Sequence, residues 1–162
     1  ALNLAPAHFL AAQIEPDRRD ALPAAAPLDQ AERLYSVPAT QDLVEMKILR
    51  SRIAAVRSDA DAAVELAREA IAVDSSKADR GLALSALADG LALRGDIADA
   101  DAAYREAVDM LEVAAWWRPA ANTCRAWARV LRDNGREPEA LDVLDRAADL
   151  GMRATPQARL ER

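Results

Sequence analysis

One histidine, His8, and one cysteine, Cys124, are the residues in this 162-residue chain best suited to general-base, nucleophilic or metal-binding chemistry. They lie far apart in the chain. No serine–histidine–aspartate, cysteine–histidine or metal-ligand spacing can be built around His8. With five glycines in all, there is no glycine-rich phosphate loop. The 27 acidic residues fall at spacings that suit solvated helix faces. No enzymatic activity, cofactor or metal is therefore expected. Cys124 reads as a buried, inert small hydrophobe, with a redox sensor as the alternative. Trp116 and Trp117 are adjacent, so both cannot enter one core. One is expected to seal a junction and the other to stay exposed, as at partner interfaces. Arg118 stands beside them, placed to stack on a ring. The competing reading is that the pair fills a lengthened loop at Trp116–Arg118.

Composition says what must position these groups. About a quarter of the chain is alanine, and leucine, arginine and glutamate are frequent. These are strong helix formers, so an all-α fold is expected. With so few aromatics the core must come from close helix approach, which a stacked repeat provides. The formal net charge of −6 argues against gripping a nucleic-acid backbone directly. Only Lys47 and Lys77 are lysines. This alanine and arginine bias suggests a GC-rich bacterial genome. A single cysteine rules out an intramolecular disulfide framework and suits the cytoplasm. No apolar run approaches a membrane span, and no signal-peptide pattern is evident.

Five of the eight prolines fall in residues 1–39. Short helices are expected there at about 6–15, 16–22 and 28–36. From Thr40 the pattern is regular, and predicts three antiparallel hairpins at about 40–74, 77–114 and 118–151. Ser58–Asp59 and Gly95–Asp96 supply turns, and Ser76 is a candidate N-cap. Pro119 and Pro138 suit first turns, and Gly151 a C-terminal cap. Thr155 and Pro156 are expected to open a last, truncated helix.

Three segments overlay without gaps: RSDADAAVELAREAIAVD (57–74), RGDIADADAAYREAVDML (94–111) and NGREPEALDVLDRAADLG (134–151). Ala63, Ala100 and Ala140 align, as do Ala70, Ala107 and Ala147. Small residues two turns apart let a neighbouring helix approach closely. Leu66, Tyr104 and Leu144 supply bulk near that seam. The pattern resembles the second half of a tetratricopeptide repeat (TPR). Leu84, Leu87, Ala88 and Leu91 match the family's large, large, small, large slots, as do Cys124, Trp127, Ala128 and Leu131. Arg50 and Ser51 depart from it in the first repeat. The longer stretch 86–151 is similar to the C-terminal TPR region of actinobacterial helix-turn-helix (XRE-type) transcriptional regulators.

The resemblance implies a superhelix of stacked hairpins whose first helices line a groove. Carried onto this sequence, the groove positions are Asn122, Arg125, Arg129 and Arg132 in the third repeat. Arg52 takes the slot of Arg129 in the first repeat, and Asp89 takes it in the second. Such an arginine stripe suits a carboxylate, a phosphate or an acidic peptide. The alternative is internal pairing with Asp133, Glu137 or Asp89. The second repeat's inner face is apolar around Leu82 and Ser85, with Ala86, Ala92 and Leu93. It suits a hydrophobic peptide, an amphipathic helix, a second copy of the chain or the chain's own C-terminal helix. The function implied is a sensing and interaction module within such a regulator, with a peptide, small-molecule or self partner. A stand-alone adaptor is the rival.

Overall fold

The computed structural model describes residues 40–154, with side chains from Leu43 onward. They form six α-helices and, among the described residues, no strand. The helices are α1 (Thr40–Val56), α2 (Ala60–Ala72), α3 (Lys77–Arg94), α4 (Ile97–Val113), α5 (Trp117–Asp133) and α6 (Glu137–Ala154). The helices expected within 1–39 and after Thr155 lie outside the described residues.

Four of the five connections close in the same way. The amide of Asp59, Asp96, Trp116 or Arg136 donates to the carbonyl five residues earlier, on Ala54, Leu91, Leu111 or Leu131, at 2.9 Å each. The residue just before each donor is left-handed: Ser58 (φ 63), Gly95 (φ 92), Ala115 (φ 59) and Gly135 (φ 74). This satisfies carbonyls that a helix end would otherwise leave bare. Ser58 and Ala115 adopt a conformation that glycine takes without strain. The fifth connection, between α2 and α3, is capped instead by Ser76. Its hydroxyl oxygen accepts from the Asp79 amide at 3.1 Å.

Two expectations fail here. Gly151 lies inside α6, which runs on to Ala154. Trp117 and Arg118 belong to the first turn of α5, so the turn sits at Ala114–Trp116. The tight left-handed closure at Ala115 ends α4 within three residues, and no lengthened loop remains.

Each helix packs on the next in sequence, and α1 also lies along α3, whereas α3 touches α5 more lightly. The alanine pairs do what their spacing demands. Ala63, Ala100, Ala140, Ala70, Ala107 and Ala147 are all buried. Ser51, where the first repeat departs from pattern, is also buried and donates to the Ala63 carbonyl at 2.7 Å. A small polar residue thus fits a small slot by finding a carbonyl.

Between hairpins one and two the backbones nearly touch. A Cβ built on Gly90 would lie 3.1 Å from Val64 Cγ2 and 3.2 Å from Val64 N. Val44, Ile48, Ala67, Ala70, Ala83 and Ala86 form a buried cluster at this junction. A larger cluster runs through α3–α6, centred on Tyr104, Leu111, Trp127, Leu131 and Leu150.

Candidate functional site

The first helices bring three candidate residues together. Asp89, on α3, is felt by Arg52 from α1 and Arg129 from α5. Its carboxylate is partly buried and accepts a hydrogen bond from the Tyr104 hydroxyl at 2.5 Å. Burial pushes the Asp89 carboxyl above its ordinary value, while the Tyr104 bond and the two guanidiniums pull it back. The Tyr104 phenol is in turn pushed up by its burial and by Asp89. Tyr104 was not singled out as a site residue. Its place in the repeat overlay, where Ala67 stands in hairpin one, is the signal that marks it.

Along α5, Arg125 donates to Asn122 Oδ1, one turn away, at 2.8 Å. Arg129 and Arg132 are exposed. None of Arg52, Arg125, Arg129 or Arg132 forms an ion pair with Asp133 or Glu137 among the described residues. The internal partner available to the stripe is Asp89, which acts on Arg52 and Arg129 at a distance.

The apolar candidates fare differently. Ser85 is buried and accepts from the Thr123 hydroxyl at 3.2 Å, which ties α3 to α5. Leu82 is half-buried and packs against both core clusters. Leu93 is exposed. Ser85 and Leu82 therefore hold adjacent hairpins together, with little surface left for a ligand.

The two tryptophans separate. Trp117 packs against the larger core cluster, and Trp116 remains 41% exposed. The cation that stacks on Trp117 is Arg153 of α6, 5.4 Å from the ring centroid, rather than Arg118. Arg118 is exposed, whereas α6 packs on α5 and brings its end back to the start of α5. Cys124 is fully buried, and burial pushes its thiol up to about 11. That makes it a poor thiolate.

On the second-helix side, hairpins two and three are tied by charge. Arg146 of α6 reaches Asp109 at 2.7 Å and Glu112 at 2.8 Å on α4. Arg136 lies 3.6 Å from Asp101. Asp101 also accepts from Trp127 Nε1 at 2.6 Å. A shallow depression of about 400 Å³ over the outer face of α4, lined by Lys77, Arg105, Met110 and Val113, contains none of the candidate residues.

Among the described residues, no three His, Cys, Asp or Glu side chains converge as a metal-ligand set, and no helix is long and apolar enough to cross a membrane. Comparison with family models, curated proteins and solved structures finds no match.

Proposed function

We propose that this chain is a non-catalytic interaction and sensing module, a TPR-type stack whose first-helix face holds an acidic ligand. Its context is the cytoplasmic C-terminal part of a bacterial transcriptional regulator, and its partner is a peptide, a small molecule or a second protomer. The observation that carries this reading is the convergence of Arg52 and Arg129 on Asp89. Three first helices then contribute to one surface, as a groove requires. Two of them bring guanidiniums whose charge is only partly offset by one sunken carboxylate. The sequential packing of hairpins and the burial of the aligned alanine pairs at 63/70, 100/107 and 140/147 support the TPR-type stack.

A ligand acts here by preferring one spacing of the first helices. Binding between Arg52 and Arg129 pulls the outer hairpins toward the second and shifts the population toward one curvature. An attached domain senses the difference.

The test is a fluorescence-anisotropy titration with hexaglutamate, and hexalysine as control. Loss of two charge-assisted contacts weakens binding by at least about tenfold in Arg125→Ala/Arg129→Ala. Equal affinity in wild type and variant ends the reading. The regulator context is checked separately: coding sequence upstream of Ala1 that encodes a helix-turn-helix supports it, and a different domain there removes it.

A further inference from the structure

The repeat register exposes a second surface, on α6. In the overlay, Val64, Ala67 and Ile71 of α2 correspond to Asp101, Tyr104 and Val108 of α4, and to Leu141, Leu144 and Ala148 of α6. In the first two hairpins this flank lies under the next first helix. Val64 meets Gly90 of α3, and Ala67 is buried with Ala83 and Ala86. Asp101 and Tyr104 bond to and stack on Trp127 of α5; the Tyr104 and Trp127 rings are 6.4 Å apart. On α6 the same flank is only partly covered among the described residues: Leu144 is half-buried against the larger core cluster, and its neighbours on either side stand open. Leu141 is 54% exposed, Ala148 is exposed, and Met152, one turn on, is 69% exposed.

Charge says what fits. Arg105, the residue of α4 that packs over Trp127 at 5.8 Å, is replaced on α6 by Asp145. Asp142, Asp145 and Asp149, at i, i+3 and i+7, form a ridge along the edge of the flank. None of them has an ion-pair partner among the described residues. An antiparallel α6–α6 pairing of two copies sets these ridges against each other, which disfavours a second copy.

We infer that the α6 flank is a docking face for an amphipathic helix supplied by a partner, about four turns long, with small and aromatic residues on its apolar side and arginine or lysine at its rim. It seats as α3 seats on α2 and α5 on α4. This inference is independent of the arginine face on the first helices.

The probe is a fluorescent synthetic peptide with the sequence of residues 117–133, itself an arginine-rimmed amphipathic helix, with Cys124→Ser to prevent oxidation. It is titrated into the full chain. Saturable binding is expected. Leu141→Lys/Met152→Lys weakens it by about tenfold or more, since two exposed apolar contacts are lost and positive charge is added. Asp145→Ala weakens it by about threefold and lowers its salt dependence. Val113→Lys, equally exposed but on α4, leaves it unchanged. Thermal melts of these surface variants superimpose on wild type. No saturable binding, or equal affinity in Leu141→Lys/Met152→Lys, overturns the inference. A dimer mass in light scattering that this double variant dissolves assigns the face to a second copy and overturns it too. So does a gain of tenfold or more on deleting residues 155–162, which assigns the face to the chain's own tail.

Discussion

The junction between hairpins one and two and the junction between hairpins two and three solve one geometric problem by opposite means. At the first, Gly90 brings the α2 and α3 backbones together over Val64, with alanines around them and a buried apolar cluster beneath. At the second, the bulky Trp127 of α5 packs against α4. Tyr104 stacks on its ring, the Arg105 guanidinium lies over it and Asp101 accepts from its Nε1, while Arg146 ties the outer helices through Asp109 and Glu112. Close approach gains dispersion and tolerates no added volume. An aromatic spacer with a polar surround tolerates adjustment, because hydrogen bonds and ion pairs re-form over small displacements. The proposed change of curvature is therefore assigned to the second junction, across which Arg129 also acts electrostatically on Asp89.

Removing the spacer has the largest effect. Trp127→Ala costs about 3–5 kcal/mol in urea denaturation, because it empties the centre of the larger cluster and removes the Nε1 bond to Asp101. The contrasting change, Gly90→Leu, costs about 1–3 kcal/mol by overpacking. A result in which Gly90→Leu is tolerated and its stability unchanged erases the distinction between the junctions. Ala115→Gly, which relieves a left-handed alanine at the α4–α5 turn, raises stability by about 1 kcal/mol in the same assay. Arg146→Ala is the smallest change, at most about 1 kcal/mol, because the pair is partly exposed. Its loss, and the loss on adding 1 M salt to wild type, should coincide rather than sum.

Asp89 adds a pH dependence to the second junction. Its folded-state carboxyl is raised, so its protonated form favours the fold. That contribution is fully present below the ordinary carboxylate value and is lost as pH rises through the raised one. Asp89→Asn keeps an acceptor for Tyr104 and removes the dependence. At neutral pH the variant is expected to match or exceed wild-type stability, and urea midpoints at pH 7 and pH 4.5 check this. With no carboxylate between Arg52 and Arg129, it also binds hexaglutamate several-fold more tightly.

Much of this fold was legible because its rules are local. Ser76, Gly95 and the alanine pairs at 63/70, 100/107 and 140/147 each mark one cap, turn or close contact, and each falls where the pattern places it. Ala115 was not legible, since alanine gives no warning of a left-handed turn, and the Trp116–Arg118 region was read as a loop. Gly151 misled in the opposite direction. A glycine near a helix end suggests a stop, yet α6 continues past it. On the candidate site, spacing put Arg125, Arg129 and Arg132 on one side of α5, but the burial of Ser85 and the Tyr104–Asp89 bond depend on how hairpins meet. Contacts between residues 15 or 38 positions apart leave no periodic trace in a single sequence.

The most direct test is a ¹³C-carboxyl NMR titration of Asp89 in wild type, Arg52→Ala and Arg129→Ala. Three first helices sharing one surface predict a titration above the ordinary carboxylate range in wild type, moving higher still when either arginine is removed. A carboxyl that titrates in the ordinary range, and moves in neither variant, contradicts the shared face on which the proposed function depends.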